Sequence, residues 1–200
     1  MSAGLRYLAL GDSYTIGEGV ADGERWPELW TAALAKIGND VAPPRILART
    51  GWSTDELLAA IDEAEPLGEW DLVSLLIGVN DQYRGRTAED YAASYAPLLR
   101  RAIALAGDRP ERVLALSIPD WGVTPFAKAS GRDAAGIAAQ IDAFNAVARA
   151  ACARHGVTFL DITGLTRDAG MDPAMLVDDG LHPSAAMYAA WVEKLFDEVA

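Results

Sequence analysis

The sequence predicts an α/β protein in which a parallel β-sheet is covered by helices on both faces. Five short apolar runs alternate with longer stretches of helical period: Leu5–Leu10, Arg45–Ala48, Asp71–Ile77, Val113–Ile118 and Val157–Leu160. That alternation is the pattern of strands joined by crossover helices. The third run is almost continuously apolar rather than alternating, as a strand buried on both faces must be. A length of 200 residues, 51% of them hydrophobic and 23% charged, suits one folded domain over residues 1–200 with a substantial core. No internal repeat, low-complexity tract or linker divides it.

The elements follow in order. Leu5–Leu10 runs directly into Gly11-Asp12-Ser13-Tyr14, and a helical pattern covers Glu24–Ile37. After the weaker second strand, Ser53-Thr54-Asp55-Glu56 has the form of a capping box and opens a helix through Ile61. Thr87-Ala88-Glu89-Asp90 is a similar start, and Pro97 is expected to kink or split the helix it opens. Ala134–His155 places Ile137, Ile141, Phe144, Ala148 and Cys152 at helical spacing, with Gly156 as its C-terminal stop. Pro183–Val199 reads as the last helix, with Pro183 in its first turn. Asp161–Leu181, rich in Asp, Gly, Thr and Pro, reads as a long irregular loop, and such loops in compact domains are usually functional.

Charge and composition exclude several functions. A net charge of −12 disfavours nucleic acid and anionic membranes, which would be repelled. It also weighs against strongly anionic substrates unless a local basic site overrides it. No apolar run reaches the length of a membrane span, so integral membrane association is not expected. Met1-Ser2-Ala3-Gly4-Leu5-Arg6 shows no leader pattern, and the expected location is cytoplasmic. One cysteine permits no internal disulfide. Two histidines and one cysteine cannot assemble a zinc cluster, and nothing in the sequence calls for a metal or other cofactor. Oligomeric state is not readable from the sequence.

Position and side-chain chemistry nominate a site. Ser13 follows the first strand, Gly51 the second and Asn80 the third, while His182 lies beyond the fifth. In open α/β sheets, ligands bind outside the carboxyl ends of the strands, so all four fall on one edge. A serine hydroxyl is a poor nucleophile unless a base takes its proton and a third group orients that base. Ser13, His182 and Asp179 supply those roles in principle. Asp178 competes for the acid role, but the three-residue spacing to His182 favours Asp179. Backbone N–H groups of Ser13 and Gly51 and the amide of Asn80 could receive an oxyanion. Gly51 fits because a residue without Cβ lets its backbone approach the reacting oxygen. Taken singly, each segment has a simpler reading, Ser13 as a helix cap and Asn80-Asp81 as a turn. A histidine base also predicts activity falling at acid pH, near the ~6.5 at which a free imidazole titrates.

Four segments together resemble the SGNH, or GDSL, hydrolase family across the whole chain: Gly11-Asp12-Ser13-Tyr14, Thr50-Gly51-Trp52-Ser53, Gly78-Val79-Asn80-Asp81 and Asp179-Gly180-Leu181-His182-Pro183. The resemblance implies a flavodoxin-like three-layer α/β/α sandwich with a five-stranded parallel sheet. It also implies cofactor-free hydrolysis of small-molecule esters or thioesters. Tyr14 replaces the family's usual leucine, at a place where the side chain need not touch the reaction. Trp52 stands where a small or acidic residue is common and is expected to wall the pocket.

Trp121 and Phe126, after the fourth strand, are further pocket candidates, and Tyr83 and Arg84 are weaker ones. Trp26 and Trp30 read as packing residues, His155 as a helix-end cation, and Cys152 as a buried small hydrophobe. The short chain without an inserted lid favours small acyl groups, on short-chain or carbohydrate acetyl esters. Acyl thioesters and lysophospholipids are the alternatives within the family. A non-catalytic ligand-binding module is the alternative outside it, although such a module has no need of an acid and a histidine three residues apart.

Overall fold

The computed structural model describes residues 4–199; Met1–Ala3, part of the segment read for a leader, lie outside them. Five parallel strands form one sheet in the order β2-β1-β3-β4-β5, with β1 at Tyr7–Gly11, β2 at Arg45–Ala48, β3 at Leu72–Leu76, β4 at Val113–Leu116 and β5 at Thr158–Leu160. β1 and β4 are buried along their whole length, which is why their sequences carry no polar alternation.

The main helices are α2 (Trp26–Lys36), α3 (Thr54–Glu63), α5 (Ala88–Leu105), α7 (Ala134–His155) and α9 (Ala185–Val199); short helices α1 (Ser13–Ile16), α4 (Val79–Tyr83), α6 (Pro125–Ser130) and α8 (Thr163–Ala169) lie between them. α2 packs on α9, whereas α5 packs on both α3 and α7. Trp26 and Trp30 are buried in the core, Trp30 edge-on to Tyr7 of β1. None of the described helices is long and apolar enough to cross a membrane.

Three expectations are corrected. Pro97 does not split its helix: α5, 18 residues long, continues through it. Proline removes one N–H, and the burial of Tyr91, Tyr95, Leu98, Leu99 and Ala102 on the same helix outweighs that loss. Pro183 is not in the first turn of the last helix. It pairs with Leu176 in an antiparallel bridge, and Ser184 caps α9 instead, its Oγ accepting from Met187 N. Asp161–Leu181 is not irregular throughout, since it contains α8 and a 3-10 turn at Pro173–Met175.

The sheet order places the site. From β1 the chain moves to β2 on one side, while β3 lies on the other, so the order reverses between β1 and β3. A crevice forms where adjacent connections leave a parallel sheet in opposite directions. Ser13 leaves the end of β1 and Asn80 follows the end of β3, one on each side of that crevice. His155 ends α7, which leads into the start of β5, at the opposite edge of the sheet.

Candidate active site

Ser13 is the first residue of α1 and is buried. Asp12 caps that helix, its Oδ1 accepting from Tyr14 N at 3.0 Å. The cap turns the chain sharply off β1 and leaves the Ser13 N–H at a helix start, where no intrahelical acceptor exists. Among the described residues neither Ser13 N nor Ser13 Oγ is committed to a hydrogen bond within the chain.

The acid and the imidazole meet in a closed turn. Val177 N donates to His182 O at 2.9 Å, closing the loop, and Phe126 N donates to Gly180 O at 3.1 Å, tying it to α6. Within the turn Asp179 Oδ1 accepts from Leu181 N at 2.8 Å and from His182 N at 2.9 Å, while Oδ2 lies 2.6 Å from His182 Nδ1. Partial burial pushes Asp179 upward. The bonds from the His182 ring and from both N–H groups outweigh it and hold the carboxyl below its ordinary value. Asp178 makes no hydrogen bond to the ring. With Nδ1 engaged by the carboxylate, Nε2 is the nitrogen left to face a hydroxyl.

Gly51 has φ +89, a conformation that favours glycine, yet a Cβ there would meet nothing within 4 Å. The left-handed turn, rather than lack of space, is what requires glycine. Its carbonyl accepts from Arg84 Nη2 at 2.7 Å, which orients the peptide. Gly78 is the reverse case: it begins α4 at φ +127, and a Cβ would meet Tyr91 Cε2 at 2.7 Å and Ile118 Cδ1 at 2.8 Å. Asn80 is thereby set against the second loop, where its Nδ2 donates to Trp52 O at 2.9 Å. One amide hydrogen fixes the side chain, and the other remains to donate.

Asp81, fully buried, accepts from Thr54 N at 3.0 Å, Thr54 Oγ1 at 2.7 Å and Arg86 Nη1 at 2.8 Å. It locks the start of α3 to α4, and with them the Gly51 and Asn80 segments. Sequence reasoning assigned it no part; its place directly after Asn80 was the available signal. The loop after β4 is held comparably. Asp120 N donates to Thr166 Oγ1 at 2.9 Å, the Asp120 carboxylate pairs with Arg167 at 2.8 Å, and Trp121 Nε1 donates to Gln82 Oε1 at 2.8 Å.

Ser13, Gly51, Asn80 and His182 all line one pocket of about 240 Å³. Trp121 and Phe126 line it as well, as does Tyr83. Trp52 does not: its carbonyl serves Asn80 while its ring packs toward the core, which corrects the expectation of a pocket wall. Arg84 is likewise absent from the lining and braces Gly51 and Glu56 instead. Tyr14, dismissed from the sequence, is in the lining with its ring 5.7 Å from that of His182. A larger groove of about 800 Å³ borders α7, α8 and α9, but it contains none of these residues, and its arginines are paired with Asp161 and Asp142. Cys152 is buried away from the pocket, and burial pushes its thiol up to about 11, so it is not a nucleophile near neutrality.

Asp12 carries a separate consequence. It is fully buried, and its Oδ2 has no partner among the described residues. Burial, assisted by the Asp81 charge and opposed by the Tyr14 N–H bond, pushes its carboxyl up to about 8. In an unfolded chain it ionises near ~4, so between those values the native state holds the extra proton and stability falls as pH rises. Asp12→Asn keeps the cap acceptor and removes the ionisation. The stability of this variant relative to the parent chain should therefore grow from pH 5 to pH 9 in urea unfolding. A constant difference across that range would contradict the assignment.

The chain matches the GDSL-like lipase/acylhydrolase family over residues 9–190. No curated protein matches it. Among solved structures it is similar to a lipase/acylhydrolase from Enterococcus faecalis, at 21% identity and a TM-score of 0.74, covering 98% of this chain and 95% of that one. It is also similar to the acetyl xylan esterase AlAXEase, at 16% identity and a TM-score of 0.75, over 98% and 100% of the two chains. The psychrotrophic esterase EstA from Pseudoalteromonas sp. aligns at 15% identity and a TM-score of 0.73, over 97% and 96%. At such identities these likenesses speak for the fold: the five-stranded parallel α/β arrangement is shared.

Proposed function

Since the chain belongs to the GDSL-like lipase/acylhydrolase family, and is thus a hydrolase, we propose that it cleaves carboxylic esters with small acyl groups through an acyl-enzyme on Ser13. The observation that carries this reading is the single pocket on which the serine, the carboxylate-bound histidine and two oxyanion-donor candidates converge.

In the proposed reaction the Ser13 hydroxyl attacks the ester carbonyl carbon while His182 Nε2 takes its proton. Asp179 holds the ring in the tautomer that leaves Nε2 unprotonated and then stabilises the imidazolium. The carbonyl oxygen becomes an oxyanion facing Ser13 N–H, Gly51 N–H and the remaining Asn80 amide hydrogen. Each such donor contributes about 3 kcal/mol to the transition state in comparable sites. His182 returns the proton to the departing alcohol. Water then repeats the sequence and releases the acid.

The small-acyl reading rests on the pocket. Its volume of about 240 Å³ must serve both arms of the ester, and Val79, Trp121 and Leu181 form part of its wall. The likeness to an acetyl xylan esterase is consistent with that scale. A series of p-nitrophenyl esters tests it: kcat/KM should be greatest at acetyl to butyryl and decline with longer chains. A maximum at long acyl chains would instead favour lysophospholipid-type substrates, and preferential turnover of acyl thioesters would favour the thioesterase alternative. A fluorophosphonate probe should label the chain, since only an activated serine reacts.

A further inference from the structure

Three arginines near the pocket are committed to partners within the chain. Arg84 is bound to Glu56 and the Gly51 carbonyl, Arg86 to Asp55 and Asp81, and Arg167 to Asp120 and Asp142. Arg132, on the connection between α6 and α7, lies over the aromatic wall instead. Its guanidinium carbon is 4.1 Å from the centroid of the Tyr83 ring and 5.5 Å from that of Trp121. Among the described residues the guanidinium makes no ion pair and no hydrogen bond; only the Arg132 backbone N–H is used, donating to Ser130 Oγ. Both rings beneath it line the pocket that holds Ser13 and His182.

A guanidinium placed over aromatic rings is positioned without using its N–H donors. Those donors match carboxylate and phosphate oxygens, so an arginine with all of them available at the edge of an ester pocket is suited to an anion. The protein as a whole carries −12 and would repel such a group. Arg132 is a local reversal of that field, and its place decides which arm of the substrate it meets. With a small acyl group in the depth of the pocket, the alcohol arm leaves past Tyr83 and Phe126, the two large hydrophobics of the lining that are exposed to solvent.

We infer that the site takes esters whose alcohol portion carries an anionic group, a carboxylate or a phosphate, which Arg132 binds while Tyr83 packs against the intervening ring or chain. This rests on the serine-esterase reading and narrows its substrate class.

The test compares 4-acetoxybenzoate and 4-acetoxyphenyl phosphate with the neutral 4-acetoxybenzamide. In the parent chain kcat/KM should favour the anionic esters by roughly fivefold, expressed mainly in KM and shrinking at high salt. The two anions distinguish carboxylate from phosphate recognition. In Arg132→Gln the ratio of anionic to neutral ester should fall to about one, and Arg132→Lys, which keeps the charge but not the fork, should retain part of it. An anionic-to-neutral ratio of one or less in the parent chain, or one that survives Arg132→Gln, overturns the inference. Binding of 4-acetoxybenzoate and 4-acetoxybenzamide to Ser13→Ala, measured by calorimetry, separates the two readings. If that variant still turns the esters over, the serine reading falls, and the binding ratio alone then decides for or against Arg132.

Discussion

Ser13→Ala should lower kcat for short p-nitrophenyl esters by about 10⁴- to 10⁶-fold and leave the fold intact. The variant separates chemistry from structure unusually well. Among the described residues Ser13 Oγ is not committed to a hydrogen bond, so its removal orphans no donor or acceptor there. The cap of α1 belongs to Asp12, which is untouched, and the backbone N–H of residue 13 stays where it is. The proposed oxyanion donors and the pocket walls therefore survive, and what is lost is the oxygen proposed to attack. Residual turnover should match what the donors alone provide, and fluorophosphonate labelling should disappear. Near-normal hydrolysis by Ser13→Ala, with an unchanged unfolding transition, would sink the nucleophile assignment.

The sheet was legible because each strand is a short apolar run, most conspicuously β1, β3 and β4, whose residues are almost all buried. Long helices were legible for the complementary reason. Ala134–His155 has six turns over which to display its period, and its observed limits are those its spacing predicts. Helices of four to seven residues cannot display a period, so α1, α4 and α8 are invisible to that argument. In α8 the misleading feature was threonine. Thr163 and Thr166 read as loop residues, yet both are buried: Thr163 Oγ1 donates to Ile118 O and Thr166 Oγ1 accepts from Asp120 N. Polar composition marked the work of bracing the loop after β4, not irregular structure.

The site divides along similar lines. Which residues reach the sheet edge follows from strand ends, and strand ends can be read. Which way a side chain points after a tight turn cannot, because tertiary contacts decide it. Trp52 and Tyr14 show both sides of this. Each directly follows a predicted site residue, but Trp52 turns its ring to the core and Tyr14 turns its ring toward His182. Arg132 is 48 residues beyond Arg84 and belongs to no motif, so only the folded chain brings it over Tyr83. Gly51 was legible as a necessary glycine, and its backbone angle of φ +89 adds a reason that the sequence does not display.

Asp179→Asn should cost about 10⁴-fold in kcat near neutral pH, almost as much as loss of the nucleophile. The carboxylate serves the turn through Oδ1 and the ring through Oδ2, and the amide reproduces only the first function. An asparagine oxygen can still accept from Leu181 N and His182 N, which keeps the loop closed. Its NH₂ group then faces His182 Nδ1, so the ring must accept there and carry its proton on Nε2. In that tautomer it cannot take the Ser13 proton. Asp179→Ala loses both functions. If tautomer control is what matters, the two variants should be comparably inactive although Asp179→Asn is the more stable. If Asp179 only shapes the turn, Asp179→Asn should retain most activity and Asp179→Ala should not. The pH dependence adds a further constraint. The folded-state carboxyl is held below its ordinary value, so its contribution to stability is present above the unfolded value and lost only as pH falls through the lowered one. Asp179 therefore remains ionised throughout the mildly acidic range, and a decline of activity there would report protonation of the base rather than of its partner.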